Sequence, residues 1–112
     1  MMFDFFKSKN KNYKNLTAEE FAEGIKFRDA VVIDVRTPGE FSAGKIRSAR
    51  NIAIINPNFR EQIIHLPKDK KYYLYCQSGN RSKKACKIMH EAGFQNLYHL
   101  SGGLKEWPYE VV

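Results

Sequence analysis

Cysteine is scarce in this sequence, because the 112 residues contain only Cys76 and Cys86. Two cysteines cannot build the disulfide framework that stabilises many small secreted domains. They form no CxxC pair, and His65, His90 and His99 are dispersed, so no group has the spacing of a tetrahedral metal site. We therefore predict a protein of a reducing compartment with no metal and no cofactor, and we assign the three histidines no role.

Long apolar runs are also missing, since no stretch approaches the roughly 20 residues that span a bilayer. The apolar start at 1–6 is interrupted by Asp4 and followed by lysines, which reverses the order found in a signal peptide. The sequence therefore predicts a cytoplasmic protein with a basic N-terminal tail and no membrane partner. The alternative is a weak anchor at a membrane surface, formed by the phenylalanines of that start.

Acidic residues are the minority among the charged ones. Nineteen Lys and Arg residues against 12 Asp and Glu residues give a net charge of +7, which attracts anions and acidic partners over a long range. Small anions, acidic proteins and nucleic acid are all compatible with that charge. Because the basic residues are scattered from Lys7 to Lys105 without an interleaved aromatic stripe, a solvated basic surface is favoured over nucleic-acid binding.

The sequence does contain a regular alternation of strand-like and helix-like segments. Short apolar, β-branched or aromatic runs predict strands, and they occupy 31–35, 51–55, 72–75 and 97–100. Capping residues and helical periodicity predict helices, which run from the Thr17 capping box to about Lys26, from Pro38 to Gly44, and over 59–66 and 82–92. A last turn follows Gly102 and Gly103.

This alternation implies βαβ units, because parallel neighbouring strands need connections long enough to hold a helix. We therefore predict an α/β fold in a single domain, with a mostly parallel central sheet and helices on both faces. Sheets of this kind bind ligands outside the carboxyl ends of their strands. Cys76 directly follows the strand at 72–75 and so lies at such an end.

Cys76 is the candidate reactive group. A thiol attacks as the thiolate, and with a reference pKa of about 8.5 it needs nearby positive charge or a helix N-terminus. The helix at 82–92 would direct free N–H groups toward the strand end, and Arg81 adds charge. Gly79 can adopt dihedral angles closed to other residues, so the loop amides could converge on one anionic sulfur. The alternative is a buried structural cysteine.

Four segments in sequential order resemble the rhodanese family, over about residues 16–107. They are Val32-Ile33-Asp34-Val35-Arg36 with Glu40-Phe41, Gly44-Lys45-Ile46 with Ala49 and Asn51-Ile52, Tyr75-Cys76-Gln77-Ser78-Gly79-Asn80-Arg81-Ser82, and Leu100-Ser101-Gly102-Gly103-Leu104 with Trp107. The resemblance implies a rhodanese-like domain at 15–112, preceded at 1–14 by the basic tail or by a first short strand. Where the family often has histidine, this chain has Lys45.

The resemblance implies a sulfurtransferase of the thiosulfate type. Cys76 would be the catalytic nucleophile that takes a sulfane sulfur from a donor, holds it as a persulfide and passes it to cyanide or a thiol. Arg81 would attract an anionic donor, or would serve only in a structural ion pair. Ser82 would cap or begin the helix, although its hydroxyl could touch substrate. The residues implied to bind the substrate sulfur are Gln77, Ser78, Gly79, Asn80 and Arg81.

Several other reactive groups have a structural interpretation. Asp34 and Arg36 end the central strand, and sulfur transfer requires no second titrating group, so we predict that they form an ion-pair network. Glu40 is interpreted in the same way. Cys86 is predicted to be a small core side chain, because its neighbours in the helix are apolar; the alternative is a resolving cysteine that forms a disulfide with Cys76.

Two rival functions remain. A phosphatase or arsenate reductase of related fold uses a Cys-x5-Arg loop that encloses a tetrahedral oxyanion, whereas only four residues separate Cys76 from Arg81, a length that favours sulfur. A catalytically silent interaction module is expected where the cysteine is replaced, and here it is present. The expected partners are a small-molecule sulfur donor, a thiol or cyanide acceptor, and an acidic sulfur-trafficking protein that would dock near Lys83 and Lys84.

Overall fold

The computed structural model describes residues 12–112. The basic tail and the alternative anchor, both predicted for the N-terminal segment, lie outside the described residues. The apolar runs form the sheet, joined by a short strand at the start of the described chain. The strands are β1 Lys14–Leu16, β2 Ala30–Asp34, β3 Arg50–Asn51, β4 Lys71–Tyr75 and β5 Leu97–Leu100.

All strand pairs in this five-stranded sheet are parallel, and the spatial order is β1-β5-β4-β2-β3. β4 lies in the middle, between β5 and β2, so its carboxyl end emerges at the centre of the sheet edge. Parallel neighbours need a crossover connection, and the helices supply it. The predicted α/β class with a parallel central sheet is therefore confirmed.

In the described part of the chain, four α-helices connect the strands and one 3-10 turn follows β5. They are α1 Ala18–Gly24, α2 Pro38–Ala43, α3 Phe59–Ile64, α4 Asn80–Glu91 and the 3-10 turn Leu104–Glu106. Two of the helices begin with a complete capping box, Thr17 with Glu20 and Thr37 with Glu40, which satisfies backbone donors at the helix start. Within residues 12–112, no helix is both long and apolar enough to span a membrane.

The core has two parts, one on each face of the sheet. Successive side chains of a strand point to opposite faces, so Ile33 belongs to the cluster under α3 and α4, while Val32 belongs to the cluster under α1. Both faces of β4 are therefore buried, which explains why its sequence is apolar and aromatic without alternation. Burying one such large side chain contributes roughly 1.5–3 kcal/mol.

Two predicted boundaries are wrong. The strand predicted at 51–55 is only the two-residue β3, because regular pairing with β2 ends at Asn51. The N–H groups of Ile52 and Ile54 still donate to Asp34 and Val35, and the chain then turns and exposes Ile55. α4 begins at Asn80 rather than at Ser82, since Gly79 takes the N-cap position with a left-handed φ of 106°. Ser82 therefore lies within the first turn of α4 and neither caps nor begins it.

Candidate active site

Cys76 follows β4 directly, and its Sγ atom is surrounded by hydrogen-bond donors. The backbone N–H groups of Gly79 and Ser82 donate to Sγ over 3.1 and 3.2 Å. The Ser82 hydroxyl oxygen lies 3.3 Å from the same sulfur. The residue is completely buried, so these donors replace the water that would otherwise solvate a charged sulfur. The arrangement is suited to holding an anionic sulfur.

The short loop between Cys76 and α4 makes this convergence possible. A Cβ at Gly79 would lie 2.6 Å from the carbonyl oxygen of Ser101, and the backbone there is left-handed. Only glycine fits both conditions. α4 then starts with its free N–H groups and the positive end of its dipole directed at the sulfur. The predicted cradle of amides therefore forms, and Gly79 enables it.

The turn at Gly102 and Gly103 supports the loop from the other side. Leu104 N–H donates to the Cys76 carbonyl over 2.8 Å, and Lys105 N–H donates to the Gln77 carbonyl over 3.0 Å. A Cβ at Gly103, whose φ is 70°, would collide with that Gln77 carbonyl. The carbonyl groups of Cys76 and Gln77 thus accept hydrogen bonds from the turn, and this holds the loop in the conformation in which its N–H groups donate to the sulfur.

Arg81 forms an ion pair across the mouth of the loop. Its guanidinium donates to both carboxylate oxygens of Glu40, over 2.8 and 3.0 Å. Chiefly because of these hydrogen bonds, the pKa of Glu40 falls from its usual 4.5 to about 2. Two roles were predicted for Arg81, and its contacts are those of the ion pair. It ties the start of α4 to the start of α2.

Asp34 and Arg36 form the predicted ion-pair network. Both are buried, and Arg36 donates to Asp34 through Nε and Nη2, the latter over 2.7 Å. The remaining guanidinium nitrogen of Arg36, Nη1, donates to the side-chain oxygen of Gln77 over 3.2 Å. The network therefore reaches the Cys76 loop and holds one of its residues, as a scaffold rather than as an acid and a base.

The other predicted loop residues differ in exposure. Ser78 and Asn80 are exposed, whereas Gln77 is half-buried and Gly79 is buried. Within residues 12–112, no group of three or more His, Cys, Asp or Glu side chains could hold a metal ion.

His99, to which the sequence assigned no role, belongs to this site. It is buried in β5, and its Nε2 lies 2.8 Å from the Ser82 hydroxyl oxygen and 3.0 Å from the Gly79 carbonyl oxygen. Burial is the main reason that the pKa of His99 is lowered, and Lys83 adds to the effect. The signal available in the sequence was a histidine inside an otherwise apolar strand, not its spacing from other histidines.

Cys86 occupies a different environment. It is fully buried in the apolar cluster under α4, which confirms its prediction as a core side chain. Burial, with a further contribution from Cys76, raises the pKa of its thiol. A thiol in that state stays neutral, so Cys86 is a poor nucleophile.

The sequence matches the family model of the rhodanese-like domain over residues 17–110. Among curated proteins, the uncharacterized protein YqhL of Bacillus subtilis is 44% identical over 98 residues, which cover 88% of this chain and 75% of YqhL. A tRNA uridine(34) hydroxylase of onion yellows phytoplasma is 34% identical over 93 residues. That match covers 80% of this chain but only 30% of the hydroxylase.

The same fold occurs in a crystal structure of a rhodanese-related protein from Thermoplasma volcanium. The two structures superimpose with a TM-score of 0.79 at 36% sequence identity, and the match covers 89% of this chain and 98% of the other. The sheet and the helices around the Cys76 loop are therefore those of a known structural family.

Proposed function

The chain belongs to the rhodanese-like domain family, and from that membership we propose that it is a sulfurtransferase that carries sulfur as a persulfide on Cys76. The observation that carries the proposal is the set of polar contacts on Sγ: two backbone N–H groups donate to it over 3.1 and 3.2 Å, and the Ser82 hydroxyl oxygen lies 3.3 Å away. Hydrogen bonds to a charged acceptor are about twice as strong as those between neutral groups. They stabilise an anionic sulfur at the point where a nucleophile is needed.

The reaction proceeds in two displacements at sulfur. In the first, the Cys76 thiolate attacks the outer sulfur of thiosulfate, the sulfur–sulfur bond of the donor breaks, and sulfite leaves with the electron pair. In the second, cyanide or a thiolate attacks the outer sulfur of the persulfide, and Cys76 leaves as a thiolate. Cys76 is negatively charged before the first step and after the second, so the amides assist both.

The loop from Gln77 to Arg81 is proposed as the binding site for the transferred sulfur. Gly79 supplies an amide to Sγ directly, and Gln77 is held by Arg36. Ser78 and Asn80 lie at the exposed mouth, where a donor or an acceptor approaches. The Arg81 guanidinium is bonded to Glu40, so its role in this proposal is to fix the loop.

The rival functions are less well supported. A phosphatase presents an arginine to the oxyanion of its substrate, whereas Arg81 gives its donors to Glu40 and the loop amides of Gly79 and Ser82 contact the sulfur itself. A silent interaction module does not need a cysteine whose sulfur accepts two backbone N–H groups. Both observations favour sulfur transfer.

A second candidate function rests on the relatives named tRNA uridine(34) hydroxylase, which are 31–39% identical to this chain in the cases compared. The net charge of +7 is compatible with a polyanionic partner such as tRNA. In this alternative the domain would be part of an RNA-modifying system. The hydroxylase of onion yellows phytoplasma is about three times as long as the matched part, so the chain by itself corresponds to a fraction of such an enzyme.

The proposed acceptor includes an acidic sulfur-trafficking protein as well as small thiols and cyanide. Lys83 and Lys84 are exposed in the first turns of α4, next to the mouth of the loop. Opposite charge on a partner would speed its approach to Cys76, and added salt would weaken that effect.

Mass spectrometry of the intact protein tests the persulfide directly. After incubation with thiosulfate and removal of excess reagent, the wild-type chain should gain the mass of one sulfur atom, and an added thiol should remove it. Cys76→Ser should gain nothing, and the matched variant Cys86→Ser should gain the same mass as the wild type. No gain on the wild type, or an equal gain on Cys76→Ser, would defeat the proposal. Hydroxylated uridine appearing in tRNA without loading of Cys76 would favour the second candidate.

A further inference from the structure

A line of buried polar groups runs from Cys76 away from the substrate side of the loop. The Ser82 hydroxyl oxygen lies 3.3 Å from Cys76 Sγ and 2.8 Å from His99 Nε2. On the far side of the ring, His99 Nδ1 lies 2.8 Å from the side-chain oxygen Oδ1 of Asn15, an exposed residue of β1 at which the buried line ends. Ser82 and His99 are both almost completely buried. Buried polar groups of this kind require defined partners, so each hydrogen in the line has a determined position.

The Ser82 hydroxyl has one hydrogen and three neighbouring acceptors. These are Cys76 Sγ at 3.3 Å, the Gly79 carbonyl oxygen at 3.3 Å, and His99 Nε2 at 2.8 Å if that nitrogen carries no hydrogen. A bare Nε2 would take the hydrogen, because it is the nearest acceptor. Whether Sγ receives a donor from Ser82 therefore depends on where His99 carries its own hydrogen.

The Gly79 carbonyl determines that position. Its oxygen lies 3.0 Å from His99 Nε2, and two acceptors that face each other at that distance in a buried site repel each other. A hydrogen on Nε2 removes the repulsion, because the nitrogen then donates to the carbonyl and to the Ser82 oxygen. Burial lowers the pKa of His99, so the ring carries one hydrogen, and Nδ1 is left as the acceptor. The atom that faces Nδ1 is the side-chain oxygen of Asn15. Asn15 is exposed, so its amide can turn and present its NH2 group to Nδ1, whereas the Gly79 carbonyl is fixed in the backbone.

We propose that His99 is a positioning residue for Cys76, which keeps its hydrogen on Nε2 and thereby reserves the Ser82 hydroxyl hydrogen for the sulfur. The role rests on the proposed function, since it concerns the sulfur that carries the persulfide. It also holds for Cys76 as a bare thiolate, whatever the protein transfers.

As a consequence, the Ser82 hydroxyl changes its hydrogen-bond partner when the charge on Cys76 Sγ changes. When Cys76 is a thiolate, the Ser82 hydrogen points to Sγ, because a hydrogen bond to an anion is stronger than one to the Gly79 carbonyl. When Cys76 carries a persulfide, the negative charge moves to the outer sulfur, and the hydrogen can return to the carbonyl. His99 and Ser82 thus favour the sulfur-free thiolate, which is the group that leaves when sulfur is handed to an acceptor.

The charged and titratable neighbours of this line are few among the described residues. Arg81 and Cys86 face Cys76, and Lys83 and Tyr13 face His99. The pKa values of Arg81, Cys86 and Tyr13 are all raised, for Cys86 and Tyr13 mainly by burial and for Arg81 mainly by its hydrogen bond to Glu40. Arg81 therefore stays charged, and Cys86 and Tyr13 stay neutral, at pH values below their raised pKa values.

The test compares two substitutions that each keep one end of the imidazole. His99→Gln places an amide N–H group near the position of Nε2, whereas His99→Asn keeps a polar atom near Nδ1 and leaves the Nε2 position empty. The thiolate of Cys76 is followed by its ultraviolet absorbance against pH in the full chain, as the difference between each variant and the same variant with Cys76→Ser. This measurement requires no reagent to reach the buried sulfur and no sulfur transfer.

Loss of one hydrogen bond to the thiolate should raise the midpoint of this titration by about one pH unit, a tenfold change in the thiolate fraction below the midpoint. That full shift is expected for Ser82→Ala. His99→Asn should shift the midpoint in the same direction by less, because the Gly79 carbonyl loses the Nε2 donor and then competes for the Ser82 hydrogen, while His99→Gln should remain near the wild type. The double variant His99→Asn with Ser82→Ala should shift no further than Ser82→Ala alone, because the effect of His99 acts through the Ser82 hydroxyl. A wild-type midpoint in His99→Asn, or additive shifts in the double variant, would overturn the proposal.

The tautomer can also be observed in the wild-type chain, which keeps the proposal testable if a His99 variant does not fold. Nitrogen-15 NMR of the imidazole should find the hydrogen on Nε2, and a hydrogen on Nδ1 alone would refute the role. A failure to load sulfur from thiosulfate with the expected tautomer and shifts would count against the proposed function and leave the role of His99 intact.

Discussion

Cys76 and Cys86 lie in the same apolar cluster and are both completely buried, yet their sulfur atoms have different surroundings. Cys76 follows a strand and faces the start of α4, where it receives N–H groups from Gly79 and Ser82. Cys86 lies in the middle of α4 among apolar side chains. Burial alone therefore does not determine whether a cysteine sulfur is surrounded by hydrogen-bond donors or by apolar side chains.

The difference follows from the backbone. The first four N–H groups of a helix have no partner within it, whereas those in the middle donate to the carbonyl four residues earlier. Cys76 is placed where such free donors converge, so charge on its sulfur is stabilised. Cys86 meets no free donors from the middle of the helix, and burial accordingly raises the pKa of its thiol.

The largest effect on stability and on sulfur loading should come from a substitution that distorts the backbone of the Cys76 loop. Gly79→Ala would force a side chain onto a backbone with φ of 106° and against the Ser101 carbonyl, which costs about 1–3 kcal/mol of unfolding free energy. We also expect the loop amides to move away from Sγ, so sulfur loading should fall at least about tenfold, as when a donor to a charged group is lost. Denaturant unfolding and intact mass measure the two effects.

Gly39→Ala is the matched control, because a Cβ at Gly39 in α2 meets nothing within 4 Å. This variant should keep its stability within about 1 kcal/mol or gain slightly, since alanine is the better helix former. Its loading of Cys76 should equal that of the wild type. Normal loading in Gly79→Ala would show that the amide cradle does not matter.

An intermediate effect is expected at the other cysteine, and on stability alone. Cys86→Ala removes a buried sulfur from the core and should lower the unfolding free energy by about 1–2 kcal/mol, through lost contacts and a small cavity. Sulfur loading of Cys76 should not change. If loading or its reversal failed in Cys86→Ala, Cys86 would have the resolving role, and the contrast between the two cysteines would no longer hold.

The smallest effect should come from the ion pair that fixes the Cys76 loop. The pKa of Glu40 is lowered from 4.5 to about 2 in the folded chain, so its contribution to stability is present above about pH 4.5 and is lost as the pH falls through about 2. Because about a third of each partner is exposed, 35% for Glu40 and 38% for Arg81, the pair should contribute only about 1 kcal/mol or less.

Glu40→Gln tests this pair through its pH dependence. The difference in unfolding free energy between this variant and the wild type should be largest near pH 6 and should shrink as the pH is lowered toward 2. Urea unfolding at several pH values measures it. A difference that does not depend on pH would mean that Glu40 acts through packing or through its capping contact with Thr37 rather than through its charge.

Local patterns in the sequence predicted much of the fold. Each capping box, such as Thr17 with Glu20, depends on residues three positions apart, and each buried strand depends on a short apolar run. The place of Cys76 at a strand end and the need for Gly79 are also local, because neighbouring residues and one set of dihedral angles decide them. The predicted cradle and the network of Asp34 with Arg36 therefore formed as expected.

Errors in the predicted boundaries came from contacts that short patterns do not contain. The run at 51–55 is apolar enough for a strand, but β3 lies at the sheet edge and its regular pairing with β2 ends at Asn51. The start of α4 moved to Asn80 because the left-handed backbone at Gly79 begins the helix early. Propensity alone does not determine where the neighbouring strand stops pairing.

The sequence by itself determined the α/β class, the place of Cys76 at a strand end, the free donors that face its sulfur and the core position of Cys86, since each follows from neighbouring residues. Only the tertiary structure decided that Arg81 pairs with Glu40, 41 positions away, and that His99 meets Ser82, 17 positions away. Those contacts exist because parallel pairing places β5 beside β4 and the start of α4 over both. The physical reason is that hydrogen bonds act over about 3 Å, and chain separation does not reveal which side chains a fold brings within that distance.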